Sequence, residues 1–291
     1  MRLFPWYDNS FSPSSPPFHP PFPSLPSHLP SLPFSHSPNT HQDNPQRNRA
    51  WATFPYPCIG QFDFLDFPLS TRRMLYPRLL SLLKTGGTLV DVGCCLGHDI
   101  RKLVFDGVPG GNLVGVELHQ GFIDLGFELF RDREGGDGEG YGDGKGGQRG
   151  KGGLRFYQGD LLADGGVWDL LDGGFDVVNL GMLLHCFTWE EQVRVLERCV
   201  GLLKTGKGVS IVGITCGTVD GRVEELAGKK VPAHNEETFG RLVKEVAEKT
   251  KTEWEVDVEC DYGVSVWDGK HTWVGTRMRR VVFELKRLGG C

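Results

Sequence analysis

The sequence predicts an α/β protein built on a doubly wound, mostly parallel sheet. Two observations lead there. From Thr88 onward, short apolar runs that suit buried strands alternate with longer stretches whose apolar residues recur at helical spacing. At the ends of the successive strands stand Asp91, Glu117, Asp160 and Asn179, on the rim where open sheets of this kind hold their ligands.

The elements follow in order. Thr88–Asp91 is a short apolar strand leading into Gly93, and Ile100, Leu103 and Val104 mark the helix after it. Asn112–Val116 is a second strand, and Phe122, Ile123, Leu125, Leu129 and Phe130 define a second helix. Leu154–Gln158 and Phe175–Leu180 are strands. Thr188 opens a helix, with Glu191 three residues later completing a capping box. Its apolar stripe is Trp189, Val193, Leu196, Val200 and Leu203. Gly208–Ile214 is a strand, and a helix opened by Asn235 carries Phe239, Leu242, Val243 and Val246. Glu253–Cys260 and Arg279–Leu285 alternate with no clear helix between them, which suits a closing antiparallel pair.

Two segments stand apart. Residues 1–50 hold twelve of the 18 prolines and read as a disordered tail, because proline lacks an N–H and fixes φ. Residues 134–153 contain eleven glycines in 20 residues and read as a flexible surface insertion that cannot bury enough apolar area to order itself. Residues 51–291 are then expected to form a single domain.

Composition narrows the function. The 291 residues carry 32 basic and 37 acidic side chains, a formal charge of −5, which argues against a nucleic-acid partner. No run approaches 18 apolar residues, so no membrane partner is expected. The eight cysteines include no C-x-x-C pair, and the chain starts without a secretory signal pattern. They read as reduced thiols in a cytoplasmic protein with no metal site. The oligomeric state is open.

The chemistry concentrates at the strand ends. Gly93 and Gly97 let the backbone turn tightly toward a ligand, with Cys95 between them. Asp91, just before this loop, would repel a pyrophosphate but welcome an ammonium group such as that of S-adenosylmethionine. Glu117, 20 residues beyond Gly97 and followed by Leu118, is placed to accept from both ribose hydroxyls. Asp160 suits an adenine amino group, with Leu161 covering the ring. Asn179 and Leu180 would form the floor beneath the methionyl part. His185 is the best-placed titratable group to take a proton from an acceptor. Phe62, Phe64, Phe67, Tyr76, His234 and Asn235 are candidate acceptor contacts, and His119 and His271 are secondary candidates.

Together these residues resemble the class I S-adenosylmethionine-dependent methyltransferases. The stretches Leu89–Val104 (LVDVGCCLGHDIRKLV), Cys58–Leu65 (CIGQFDFL), Gly121–Arg133 (GFIDLGFELFRDR) and Trp189–Val193 (WEEQV) narrow the resemblance to fungal secondary-metabolite methyltransferases of the meroterpenoid-pathway type. The resemblance covers roughly residues 56–260. It implies a Rossmann-like, seven-stranded sheet with an antiparallel last strand, and O-methylation of a small polyketide or terpenoid acid or phenol. It also implies that Asp91, Gly93 and Gly97 line the methionine side, Glu117 the ribose, and Asp160 and Leu161 the adenine. It implies no catalytic base; His185 comes from the residue reading alone.

Two other readings compete. An NAD-dependent oxidoreductase would use a similar sheet, but Asp91 sits badly against a pyrophosphate and the loop lacks a further glycine. A non-catalytic protein on the same fold would use the proline-rich tail to bind a partner.

Overall fold

The computed structural model describes residues 45–56, 59, 69–134, 147–226, 228–260 and 278–290. Its sheet strands are β1 (Leu89–Val92), β2 (Leu113–Glu117), β3 (Gln148–Arg149), β4 (Arg155–Gln158), β5 (Val177–Gly181), β6 (Ser210–Thr218), β9 (Thr252–Cys260) and β10 (Met278–Gly290), in the spatial order β3-β4-β2-β1-β5-β6-β10-β9. Strands β4, β2, β1, β5 and β6 pair in parallel, and β10 runs antiparallel to both β6 and β9. The α/β class and the antiparallel last strand are therefore as expected. The eighth strand is the two-residue β3, antiparallel to β4. A small hairpin, β7 (Val223–Leu226) and β8 (Lys229–Pro232), follows β6.

The helices are α1 (Pro45–Thr53), α2 (Leu75–Lys84), α3 (His98–Phe105), α4 (Gln120–Phe130), α5 (Val167–Leu171), α6 (Trp189–Leu202) and α7 (Glu236–Thr250). Strand residues alternate between the two faces. Leu89, Leu113, Val177 and Val212 meet α2, α3 and α4, while Val90, Val114, Val178 and Ile211 meet α5, α6 and α7. Both faces are covered, so the parallel strands carry apolar residues on both faces over most of their length rather than alternating strictly with polar ones. Thr188 and Asn235 each make a full capping box at the start of α6 and α7.

The structure moves two sequence-based boundaries. Helix α1 begins inside the stretch read as tail, because Pro45 stands at its first helical position, where a missing N–H costs nothing. Ala50 in α1 packs with Ile59, Phe122, Leu125 and Leu96, so this segment rests on α4 and on the loop after β1. The end of the glycine-rich insertion is also ordered. Gln148 and Arg149 pair with β4, and Gly150 N–H donates to Leu154 C=O at 2.9 Å, closing a tight turn whose backbone groups satisfy one another. Residues 135–146 and 1–44 lie outside the described residues.

Helix α2 lies in the segment before β1 for which the sequence suggests only aromatic acceptor contacts. Leu75, Leu79 and Leu83 form its buried stripe. Tyr76, a candidate acceptor contact, is instead packed in the core, with its hydroxyl donating to Asp106 at 2.6 Å. Phe62, Phe64 and Phe67 lie outside the described residues.

Candidate functional site

The chain leaves β1 in one direction to β2 and β4 and returns on the other side to β5 and β6. The β1–β5 boundary is therefore the switch point of the sheet, where ligands bind beyond the carboxyl ends of the strands. Asp91 and Asn179 are register partners across that boundary. The Asn179 side-chain amide donates to Asp91 Oδ1 at 2.8 Å, and Asp91 is only 4% exposed.

After β1 the backbone turns back sharply. Gly93 N–H and Cys94 N–H both donate to Val116 C=O. Gly93 and Gly97 have φ of 74° and 66°, the left-handed region that glycine enters without penalty. A side chain at Gly97 would lie 2.6 Å from both Phe156 and Arg101, so packing as well as backbone geometry requires glycine there. Cys95 also takes a positive φ of 51°, doing the conformational work of a glycine at that position. Its N–H donates to Glu117 Oε2 at 3.0 Å, and His119 N–H donates to Glu117 Oε1 at 3.0 Å. Glu117 thus joins the tip of β2 to the loop of β1. Arg101 secures the same loop from behind, donating to Leu96 C=O and pairing with Asp132.

A further carboxylate, which the sequence reading passed over, lines this end. Asp99, in the first turn of α3, is buried and accepts from Leu69 N–H at 2.8 Å. Its signal in the sequence was only that of an acid at a helix start, which any helix dipole favours. Burial raises the pKa of both Asp91 and Asp99, and in Asp91 the nearby Asp99 charge adds to it. Burial likewise raises Glu117. Among the described residues no lysine or arginine pairs with Asp91 or Asp99. His98 Nε2 lies 3.8 Å from Asp99 Oδ2, but burial disfavours its charged form, so two buried carboxylates beside the bare backbone of Gly181 fit a ligand that brings its own ammonium group.

The other positions divide. Leu118 is 45% exposed, an apolar platform beside Glu117. Asp160 is exposed at the tip of β4, its Oδ1 accepting from Leu162 N–H at 2.8 Å. Leu161 and Leu180 are both buried in the main core, so neither presents a broad surface to the crevice. His119 stacks on Phe54 with ring centroids 5.0 Å apart, in the α1–α4 contact. Asn235 caps α7 and His234 is wholly buried. His271 lies outside the described residues.

His185 sits in a 3-10 turn, Leu184–Cys186, just after β5. Its N–H donates to Thr215 Oγ1 at 3.1 Å, and its Nδ1 lies 3.3 Å from the same hydroxyl. Burial lowers its pKa to about 4, so the ring is neutral at neutral pH. Among the described residues no group of three His, Cys, Asp or Glu side chains could hold a metal ion, and no helix is long and apolar enough to cross a membrane.

This arrangement has relatives. A family model described as the meroterpenoid methyltransferase N-terminal domain matches residues 45–65, the segment that includes α1. The methyltransferase ausD of Aspergillus calidoustus is 32% identical over 221 residues, which covers 74% of this chain and 72% of the relative. The chain belongs to this fungal methyltransferase family. The O-methyltransferase atr3 of Stereocaulon alpinum is 37% identical over 250 residues, covering 83% of this chain. The O-methyltransferase phiE of a fungal species is 37% identical over 215 residues, covering 73% of this chain. The matched region spans 66% of the length of each of these two relatives. Among solved structures, the Haemonchus contortus phospholethanolamine N-methyltransferase 2, in complex with phosphomonomethylethanolamine and S-adenosylhomocysteine, shares the fold. Its TM-score is 0.50 at 14% identity, over 84% of this chain and 61% of that one. The switch-point carboxylates stand at the carboxyl ends of the strands, where open sheets of this kind bind ligands.

Proposed function

We propose that this protein is an S-adenosylmethionine-dependent O-methyltransferase acting on a small secondary-metabolite-like acid or phenol. The observation that carries the reading is the buried pair Asp91 and Asp99 at the switch point, which no lysine or arginine of the described residues neutralises, with Asn179 bracing Asp91. The two relatives named O-methyltransferases support transfer to oxygen.

S-adenosylmethionine, when bound, supplies a methyl group on a sulfonium leaving group. Asp91 and Asp99 hold the methionyl ammonium, and Glu117 accepts from the ribose hydroxyls while keeping the Cys95 loop in place. Gly93, Cys95 and Gly97 bring backbone close to the methionyl part, and Leu118 and Asp160 meet the adenine. Leu161, Asn179 and Leu180 shape the walls behind. The turn carrying His185 faces the acceptor. The main task of these residues is to hold an acceptor oxygen in line and in contact with the methyl group, an arrangement that can supply most of the acceleration.

A carboxylate acceptor is already ionised at neutral pH, whereas a phenol benefits from a base with a pKa near the working pH. His185, held down at about 4, is a weak base, and this favours a carboxylate acceptor. The acidic balance of the chain supports a partner that is a small molecule rather than a nucleic acid. The six cysteines of the described residues that are free thiols support a cytoplasmic setting. One folded unit from Pro45 onward, preceded by a proline-rich tail, is the domain organisation we favour.

The test is incubation of the full chain with methyl-labelled S-adenosylmethionine and a panel of small acids and phenols, read by mass spectrometry. Label appearing as a methyl ester or methyl ether is the expected result. Calorimetry that shows NAD binding and no S-adenosylmethionine binding would replace this reading with the oxidoreductase one.

A further inference from the structure

Helix α6 faces the core with one polar side chain that is fully enclosed. Gln192 is 0% exposed, in a stripe otherwise made of Val193, Val195, Leu196 and Cys199. An enclosed amide is costly unless each of its groups finds a partner. Gln192 finds them in two directions. Its Nε2 donates to Leu184 C=O at 2.9 Å and to Phe187 C=O at 3.2 Å. Its Oε1 meets His234 Nε2 at 2.7 Å.

The two carbonyls fix the amide orientation, because only the NH₂ end can serve both. Oε1 is then the acceptor, so His234 Nε2 carries the proton. His234 Nδ1 in turn lies 3.1 Å from Thr238 Oγ1. His234 is itself 1% exposed, and burial lowers its pKa to about 4, so it stays neutral and keeps one tautomer.

The bonded backbone atoms belong to the turn that carries His185. Leu184 C=O and Phe187 C=O bracket it in sequence, and Thr215 on β6 holds its other side through the His185 N–H. Met182, just before the turn, has a positive φ of 52° and gives its N–H to Ile214 C=O at 2.7 Å. The turn therefore hangs between β6 and α6. His234 also anchors the end of the β7–β8 hairpin to β6, since Thr218 N–H donates to its C=O at 2.9 Å. His234 thus links the hairpin through its backbone carbonyl and the His185 turn through its ring and Gln192.

We infer that Gln192 and His234 are positioning residues for methyl transfer: the Gln192 amide, oriented by His234, sets the place of the His185 turn and so the wall against which the acceptor is aligned. The inference rests on the methyltransferase reading above. A displacement of about 1 Å at a reacting centre can cost about 10²-fold in rate.

The test uses three variants of the full chain. His234→Leu removes the donor to Gln192, His234→Gln returns an amide N–H toward the same place, and Gln192→Glu keeps the acceptor while turning an oxygen toward the two carbonyls. Two readouts are taken: the ring resonances of His185 by NMR, and labelled methyl transfer to the acid and phenol panel beside the dissociation constant for S-adenosylmethionine. His234→Leu and Gln192→Glu are expected to shift the His185 resonances and lower the transfer rate about 10–100-fold, with cofactor binding within about twofold of wild type. His234→Gln is expected to restore both readouts. His185 resonances that stay at their wild-type positions in His234→Leu and Gln192→Glu would overturn the inference, as would a rate loss matched by an equal loss of cofactor binding. A wild-type chain that neither binds the cofactor nor transfers methyl sinks the enzymatic reading, while the resonances still decide whether this pair positions the turn.

Discussion

Asn179 donates from its side-chain amide to Asp91 at 2.8 Å, and the two residues are register partners on adjacent parallel strands. The bond satisfies one oxygen of a buried carboxylate without neutralising it. It also fixes the Asp91 rotamer across the boundary where the sheet changes direction.

Asp91→Asn removes the charge and keeps the shape. A hydrogen bond to a charged group contributes about 1.5–3 kcal/mol, so S-adenosylmethionine affinity should fall about 10–100-fold. Calorimetry on the folded variant measures this directly. Retention of full affinity would mean that the ammonium group binds elsewhere.

Asp99→Asn should stabilise the cofactor-free protein, and more so at higher pH. Asp91 and Asp99 bind a proton more tightly in the folded chain than in the unfolded one. The contribution of each carboxyl is therefore fully present below the ordinary aspartate range and drains away as pH rises through the raised value. At pH 8 the ionised, buried Asp99 works against the fold. An amide there keeps an oxygen for Leu69 N–H. The expected gain is about 1–2 kcal/mol at pH 8 and near zero at pH 4, read as a difference in unfolding midpoint. Equal midpoint differences at both pH values would contradict it.

His185→Ala should cost less than about tenfold in turnover on a carboxylate acceptor, since a base normally contributes about 10²–10⁴-fold. The wild-type rate should also be level from about pH 6 to 9, because His185 loses its proton near 4. A rate at saturating cofactor that climbs with an apparent pKa near 7, and loses that climb in His185→Ala, would restore the imidazole as a base.

Gly217→Ala should be severely destabilising. A Cβ there would lie 2.0 Å from His234 C=O and 2.5 Å from Val281, and the backbone oxygen cannot swing aside. The expected loss is about 3 kcal/mol or more, in the range of overpacked and strained cores, measured by denaturant unfolding.

The strand tips were the most legible part of the molecule. Asp91, Glu117 and Asn179 each end an apolar run, and a parallel sheet brings such ends to one rim, so local pattern predicts a distant meeting. The capping box at Thr188 and the helix start at Asn235 were legible because both signals lie within four residues. What local pattern does not carry is pairing at long range. Gln192 reads as one polar residue on a helix, and only the fold shows that it reaches Leu184, Phe187 and His234. His234 falls in the segment after the strand that ends near Ile214, where acceptor contacts are expected, yet the chain turns inward there and buries it. Pro45 reads as a helix breaker until its neighbours show it standing at a helix start.

Helix α1 is held to α4 by the Arg49–Glu128 ion pair and by Ala50, which packs among Phe122, Leu125 and Leu96. Leu96 belongs to the same turn as Cys95. A shortened version of the protein cut at Trp51 would lose Arg49 and Ala50 together, leave Phe122 and Leu125 facing water, and loosen the donor loop from outside. Any trimming intended for crystallisation or expression should therefore stop upstream of Pro45.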